Sequence, residues 1–209
     1  MDKDSDAVRQ EFDRLAADYD RRWQPYIAVT LESVLAAVSF DGAENVLDIA
    51  CGTGELESLL LARWPGLRIT GVDISPAMLR KAADKNRGKQ VTWIEAEVSD
   101  LPVPESRFDW IVCANSFHYF RRPAESLQEL RRVLRPGGTL VLVDWCDDYL
   151  VCKLCSFWLR LTDRAFHRTY SLARCRALLE QSGFEVVASE RFRINLVWGL
   201  MRLTCRVAS

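Results

Sequence analysis

The glycine-containing stretch at residues 46–54 (VLDIACGTG) is the strongest chemical pattern in the sequence. An apolar, strand-like run ends here, and Gly52 and Gly54 lead directly into a helix-like stretch. Glycines at this position allow a tight turn in which the backbone approaches a ligand closely. About 20 residues later the next apolar run ends in Asp73, where a carboxylate can accept hydrogen bonds from ribose hydroxyls. The spacing therefore predicts a binding site for a ligand that carries a ribose.

Dinucleotides and adenosylmethionine both carry a ribose, and the residues around the glycines distinguish between them. The dinucleotide fingerprint requires a third glycine for close helix packing, and Glu57 occupies that position. Glu55 and Glu57 would also face a pyrophosphate at the start of the helix, which is unfavourable. Asp48 lies within the strand, where it can organise the turn through hydrogen bonds to backbone N–H groups. The pattern favours adenosylmethionine and leaves an NAD-dependent oxidoreductase as the alternative.

A later polar group offers a general base. His118, in the stretch 115–120 (NSFHYF), is the best single candidate for a residue that accepts a proton from a substrate, because histidine exchanges protons near neutral pH. Asp144, His167 and Tyr170 are further candidates. Two alternatives remain open: His118 is a packed structural residue beside three aromatic side chains, or the reaction uses no base.

Seven cysteines are scattered through the chain without the spacing of a secreted disulfide framework, so we expect free thiols. Cys152 and Cys155 lie one helical turn apart, and with Cys146, Cys175 and His167 they could offer soft ligands to zinc or trivalent arsenic. Two thiols do not make a metal site, and buried cysteine behaves as a small hydrophobic residue. We therefore predict no metal site.

Alternating strand-like and helix-like segments must position these residues. From residue 45 onward, apolar β-prone runs alternate with stretches of helical periodicity, which is typical of an α/β fold with a mostly parallel sheet. The predicted strands are 45–50, 67–73, 91–95, 110–114, 139–145, 185–192 and 195–207. The predicted helices are 55–64, 76–86, 123–134 and 171–182, together with an apolar helix from Leu150 to Leu161. That last helix leaves only a narrow polar stripe, which contains Lys153, Ser156 and Arg160.

Four motifs in this order resemble those of the class I S-adenosylmethionine-dependent methyltransferases, in the ubiquinone/menaquinone C-methyltransferase-like (type 11) group. They are VLDIACGTG at 46–54, GVDIS at 71–75, EVSDLPVPESRFDWIV at 97–112 and LRPGGTLVLVDW at 134–145. The resemblance implies a Rossmann-like α/β fold with a mostly parallel seven-stranded sheet, helices on both faces and an antiparallel last strand. It also implies S-adenosyl-L-methionine as the cofactor.

The same resemblance implies roles for individual residues. Gly52 and Gly54, with Ala50 in the same loop, would lie beneath the methionine moiety, and Asp73 would bind the ribose hydroxyls. Ile74 and Met78 would pack on the adenine, with Glu97 and the Val98 backbone N–H at its amino group, and Asn115 would lie near the sulfonium. Tyr19, which would face the cofactor, and Asp48 beneath the glycine turn complete the implied cofactor-binding residues. Glu97 stands where the family commonly has aspartate, which lengthens its reach.

Residues 1–209 are expected to form a single domain, within which two segments cover the site. The resemblance implies cofactor-covering helices at 1–40 and a substrate-covering helical insertion at 145–170. The insertion is rich in aromatic residues that could line a pocket or belong to an ordinary core: Trp145, Tyr149, Phe157, Trp158, Phe166 and Tyr170. We predict methyl transfer to a small, apolar or aromatic molecule; a catalytically degenerate adenosylmethionine-binding module is the alternative.

Charge and hydropathy narrow the expected partners. The formal net charge is −1 at pH 7, and no run of Lys and Arg could follow a phosphate backbone, so nucleic acid is not expected. No apolar run approaches the roughly 20 residues that span a bilayer, and the N-terminal sequence lacks the features of a signal peptide. We therefore expect a cytoplasmic protein without integral membrane association, whose oligomeric state the sequence leaves open.

Overall fold

The computed structural model describes residues 3–41, 44–195 and 197–208, and its strands form one seven-stranded sheet. The strands are β1 (Asn45–Ile49), β2 (Arg68–Asp73), β3 (Val91–Glu95), β4 (Phe108–Ala114), β5 (Leu134–Trp145), β6 (Phe184–Arg193) and β7 (Gly199–Val207). Their order across the sheet is β3-β2-β1-β4-β5-β7-β6. β1 to β5 pair in parallel, and β7 lies antiparallel between β5 and β6. This confirms the predicted α/β fold and its antiparallel last strand.

Helices cover both faces of this sheet. The described residues form α1 (Lys3–Leu15), α2 (Tyr19–Ala37), α3 (Glu55–Arg63), α4 (Pro76–Lys85), α5 (Pro123–Val133), α6 (Leu150–Thr162) and α7 (Leu172–Gln181), with a short 3₁₀ helix at Phe117–Tyr119. Successive strand residues point to opposite faces. Accordingly, Val46 packs with α2 and α3, whereas Leu47 packs with α5 and α7.

Local sequence signals fix where several helices begin. The Ser75 hydroxyl accepts a hydrogen bond from the Met78 N–H at 3.1 Å, and Pro76 occupies the first position of α4. The Ser171 hydroxyl caps α7 in the same way. The bounds of α3, α4, α5 and α7 differ from the predicted ones by no more than one residue. Because α4 begins directly after β2, Asp73 is held close to a helix N-terminus.

A turn at residues 16–18 divides the N-terminal segment into α1 and α2. Two strands depart by several residues from their predicted starts. β5 begins at Leu134 rather than at residue 139, since Leu134 pairs with Phe108 across an irregularity. β7 begins at Gly199 rather than at residue 195, and it pairs on both sides, so it is not an edge of the sheet.

The largest departure concerns α6, which presents its apolar side to solvent. Leu150, Phe157 and Trp158 are exposed, whereas Cys152 and Ser156 are buried against the body of the protein. Ser156 belongs to the stripe that the sequence marks as polar. Helical periodicity gives the relative positions of side chains around the helix axis. Which side of the helix is buried depends on tertiary packing.

Candidate active site

A deep cleft lies at the carboxyl ends of β1, β2 and β4, where the strand order reverses between β1 and β4. Open α/β sheets bind ligands at this kind of switch point. The cleft has a volume of about 880 Å³, counting its open mouth. Residues that line it include Ser5, Val8, Phe12, Tyr19, Ala50, Gly52, Asp73, Ile74, Met78, Glu97, Val98, Asn115, Tyr119 and Arg121. The structure therefore brings together nine of the predicted cofactor-binding residues, but not Asp48 or Gly54.

The two glycines of the loop after β1 have different surroundings. Gly52 has φ +56° and lines the cleft, and a side chain there would meet no atom within 4 Å. Gly54 has φ +74°, and a Cβ atom there would lie 2.7 Å from the Asn86 amide nitrogen and 2.9 Å from the Ala82 side chain. Gly52 therefore leaves room for a ligand, whereas Gly54 allows the loop to pack closely on α4.

The Asp73 carboxylate organises this loop from the end of β2. Its Oδ2 accepts a hydrogen bond from the Gly52 N–H at 2.9 Å, and its Oδ1 accepts one from the Ser75 N–H at 2.8 Å. The sequence-based prediction assigned the organising hydrogen bonds to Asp48, but in the structure Asp73 supplies the one to Gly52. Burial raises the pKa of Asp73 to about 6, although these N–H groups favour the ionised form.

Asp48 and Glu57 are buried together beneath the loop. Glu57, at the position of the missing third glycine, is fully buried with its carboxyl group against Gly71 of β2. Burial raises the pKa of Glu57 to about 8, and burial and the neighbouring Glu57 raise the pKa of Asp48 well above its usual value. With pKa values raised in this way, the pair holds protons near neutral pH and offers a diphosphate no positive charge.

Polar contacts fasten the N-terminal helices over the cleft. Asp13 of α1 accepts hydrogen bonds from the Ser75 hydroxyl at 2.6 Å and the Ala77 N–H at 3.1 Å. Lys85, the last residue of α4, forms ion pairs with Asp20 at the start of α2 and with Glu55 at the start of α3, each at 2.7 Å. Sequence reasoning missed these contacts, since the partners are far apart in the chain and no local motif links them.

The opposite wall of the cleft is mostly apolar, with one acid at its edge. Ile74 and Met78 line it from β2 and α4, and Val98 from the loop after β3. Glu97 also lines the cleft, but its Oε1 accepts hydrogen bonds from Arg122 at 3.0 Å and from the Ser99 hydroxyl at 3.0 Å. The Glu97 side chain is thus already engaged, which makes its contact with an adenine amino group a prediction that depends on competition with Arg122.

Asn115, at the end of β4, links the cleft to a second, aromatic region. It adopts φ +58°, a strained conformation for a residue with a side chain, and lines the cleft. Its Oδ1 accepts a hydrogen bond from the Tyr26 hydroxyl at 2.7 Å, and that hydroxyl accepts one from the Trp145 indole at 2.6 Å. Trp145 and Trp198 pack with ring centroids 4.7 Å apart. The amide of Asn115 is therefore positioned by the aromatic cluster behind it.

His118 lies inside that aromatic region and does not line the cleft. The Nδ1 atom is 2.6 Å from Asp144 Oδ1, and the His118 backbone N–H donates to Asp144 Oδ2 at 2.7 Å. The His118 ring stacks on Trp145 with centroids 4.5 Å apart. It also packs against Tyr119, which lines the cleft. Within the described part of the chain, the buried Nε2 atom has no hydrogen-bond partner. A buried polar atom without a partner is costly, so this one is a functional candidate.

The remaining predicted candidates lie away from the cleft. All seven cysteines are free thiols, and the Cys152 sulfur accepts a hydrogen bond from the Gly199 N–H at 3.1 Å. Over residues 3–41, 44–195 and 197–208, no group of three or more His, Cys, Asp or Glu side chains is arranged to hold a metal ion. No helix in those ranges is long and apolar enough to cross a membrane.

Comparison with known proteins agrees with this geometry. Residues 46–138 match the family model for a methyltransferase domain. The chain is 40% identical over 104 residues to the demethylmenaquinone methyltransferase of Thermus thermophilus, covering 49% of this chain and 47% of that protein. It is 31% identical over 194 residues to the malonyl-[acyl-carrier protein] O-methyltransferase of Geobacter sulfurreducens, covering 86% and 70%. The chain spans about half the length of several of the curated relatives that it matches.

A solved structure shares the whole fold. A chain from the complex between the Haloferax volcanii Trm112 methyltransferase activator and a methyltransferase superposes with a TM-score of 0.85 at 20% identity, covering 95% of this chain and 98% of that one. The chain belongs to the class I S-adenosylmethionine-dependent methyltransferases. Within that class it resembles the ubiquinone/menaquinone type. The alternative of an NAD-dependent oxidoreductase is therefore wrong.

The cleft fits the cofactor of this family, S-adenosyl-L-methionine. Gly52 leaves open space beside the loop, Asp73 offers a carboxylate to hydroxyl groups, and Ile74 and Met78 offer an apolar surface to a flat ring. Glu57 fills the position of the third glycine in the dinucleotide fingerprint, so the loop lacks the close helix packing of a dinucleotide site. Each feature matches a different part of the cofactor, and none requires a metal ion.

Proposed function

We propose that this methyltransferase acts on a small apolar or aromatic acceptor held between Asn115 and the cluster of Tyr26, Tyr119, Trp145, Phe166 and Trp198. The observation that carries the proposal is the continuity of the cleft wall with this cluster through Asn115 and Tyr119. Flat aromatic walls favour planar or apolar molecules. Two relatives are named for methyl acceptors of different polarity, demethylmenaquinone and malonyl-[acyl-carrier protein], and the aromatic cluster favours the first kind.

The cofactor residues follow from the cleft. Asp73 binds the ribose hydroxyls, Ile74 and Met78 contact the adenine with Val98 and Glu97 at its edge, and Gly52 with Ala50 lies beneath the methionine portion. Asn115 and Tyr19 complete the site near the sulfonium, whereas Asp48 and Gly54 act indirectly, by supporting the loop. When bound, the cofactor supplies an electrophilic methyl group on sulfur. Most of the acceleration then comes from holding the acceptor in line.

His118 acts as the general base for an acceptor that must lose a proton. Asp144 accepts the Nδ1 proton, which leaves Nε2 as the basic nitrogen. Nε2 is buried with no partner among the described residues, so an acceptor hydroxyl or acidic C–H that enters the aromatic cluster would meet it. Tyr119 both packs on the His118 ring and lines the cleft, so the acceptor reaches Nε2 by moving this side chain.

The experiment is transfer of a labelled methyl group to quinols, phenols, small carboxylic acids and amines, with wild type and two histidine variants. We expect His118→Ala to lower turnover on the order of 10²-fold while the affinity for S-adenosylhomocysteine is unchanged. His167→Ala makes the same change at the other histidine of the chain and should cost much less.

Two outcomes contradict the proposal at different levels. An undiminished rate for His118→Ala removes the base but keeps the acceptor class. Preferential methylation of a polar acid or amine over every quinol and phenol overturns the acceptor class itself.

A further inference from the structure

The α6 helix exposes an apolar face that none of the residues described in the structure covers. Leu150, Leu154, Phe157, Trp158 and Leu161 are 60–71% exposed, and Val151 is 39% exposed. Soluble proteins rarely expose contiguous groups of large apolar side chains unless that surface binds something. The surface is defined here as the α6 face: Leu150, Val151, Leu154, Phe157, Trp158 and Leu161.

These side chains form a continuous stripe. At about 100° per residue they fall within roughly one third of the helix circumference. The opposite side holds the helix on the protein, where Cys152 and Ser156 are buried and Gly199 donates its N–H to the Cys152 sulfur. The helix is therefore anchored by small side chains and presents its large ones outward, the reverse of an ordinary surface helix.

The charges beside the stripe are positive. Lys153 and Arg160 lie next to each other along one edge of the stripe, both are exposed, and α6 contains no acidic residue. Two neighbouring acids are engaged elsewhere: Asp148 pairs with Arg191 at 3.3 Å, and Asp163 accepts the Ala165 N–H at 2.8 Å. A third, Asp147, interacts with Lys153 and Arg160 and offsets part of their charge, which leaves a net positive edge. A partner that matches this face combines an apolar layer with negative charge.

A second copy of the chain matches it poorly. In a two-fold dimer through this face, Lys153 and Arg160 of each copy would approach those of the other. The helix is also only about 20 Å long, which is short for the roughly 800 Å² per partner of a stable interface.

We propose that the α6 face docks the protein reversibly on an anionic lipid surface. Leu, Phe and Trp side chains enter the boundary between headgroups and acyl chains, and Lys153 and Arg160 contact the lipid phosphates. The face lies on the same segment as Trp145, and the buried side of the same helix contacts Gly199, which adjoins Trp198. Docking would therefore place the aromatic cluster near the lipid, whatever the acceptor is.

Co-sedimentation with vesicles tests this directly. The full chain is mixed with phosphatidylcholine vesicles with or without phosphatidylglycerol, at low and high salt. We expect binding to the anionic vesicles that weakens at high salt. Phe157→Ser/Trp158→Ser should reduce the bound fraction at least tenfold, and Lys153→Glu/Arg160→Glu should remove the preference for anionic lipid.

The matched control is Leu59→Ser/Val187→Ser, which removes two exposed apolar side chains outside α6 and should bind vesicles like wild type. Unchanged affinity for S-adenosylhomocysteine in each variant shows that the cleft is intact, so failure here is separable from failure of the proposed function. No binding to any vesicle, or equal binding by Phe157→Ser/Trp158→Ser, overturns the proposal. A concentration-dependent dimer that this variant loses, without vesicle binding, assigns the face to a second copy and also overturns it.

Discussion

The two halves of the sheet are built on different principles. Around β1 to β3, the cleft is shaped by the backbone: Gly52 and Gly54 adopt positive φ, and Asp73 fixes the loop through two N–H groups. Around β5 to β7, the corresponding region is shaped by side chains that pack against one another, with Trp145 stacked on His118 and packed at a tilt against Trp198. A site made from backbone geometry is tied to a few residue types, whereas a site made from packed rings can change its occupant by substitution.

The largest expected effect tests the backbone side of this comparison. Gly54→Ala should lower the free energy of unfolding by about 2 to 4 kcal/mol, since φ +74° is strained for alanine and the new Cβ would lie 2.7 Å from Asn86. Gly52→Ala, with a similar φ but open space, is the control. It should lose about 1 kcal/mol of stability and weaken cofactor binding more than Gly54→Ala does. Chemical unfolding with both variants measures the difference; equal stability losses would mean that packing on α4 does not matter.

Asp73→Ala should weaken binding of S-adenosylhomocysteine by about 1 to 3 kcal/mol, through loss of charge-assisted hydrogen bonds. Calorimetry on this variant and on Asp84→Ala, an exposed acid of α4, isolates the effect.

The pKa of Asp73 is raised to about 6, so its carboxylate becomes protonated as the pH falls through that value. Wild-type affinity should therefore fall below pH 6, and that dependence should be absent in Asp73→Ala. If the affinity changes neither on the Asp73→Ala substitution nor on lowering the pH, the assignment of Asp73 to the ribose is wrong.

The smallest effect tests whether the two halves are coupled. Tyr26→Phe removes the hydroxyl that joins Asn115 to Trp145 and leaves two polar groups without a partner, which should cost about 1 to 2 kcal/mol of stability. Tyr149→Phe is the control, because its hydroxyl makes no hydrogen bond to the residues that the structure describes. Thermal unfolding and cofactor titration measure both properties. A cofactor affinity that stays constant while stability drops would show that the halves work independently.

The same division explains how far sequence reasoning reached. The glycine turn, Asp73 and the order of strands and helices were predictable, because local residue types determine tight turns, caps and strand runs. The mutual contacts of Asp13 with Ser75 and of Lys85 with Asp20 were not, since they join segments that only folding brings together. The orientation of α6 was also out of reach: periodicity shows that one side is apolar, but only packing decides whether that side faces inward.

The turn at residues 16–18 also bears on how the enzyme resets between cycles. α2 is held at its start by Lys85, whereas α1 meets the body of the protein through Asp13 and an ion pair of Arg9 with Glu95 at 3.2 Å. α1 carries Ser5, Val8 and Phe12 of the cleft wall. Phe12 also packs on Tyr119, with ring centroids 5.1 Å apart, so opening the cleft on this side means breaking the contacts of α1. The Asp73 hydrogen bond that holds the glycine loop is separate from these contacts. Spent cofactor can then leave while the glycine loop stays assembled for the next molecule.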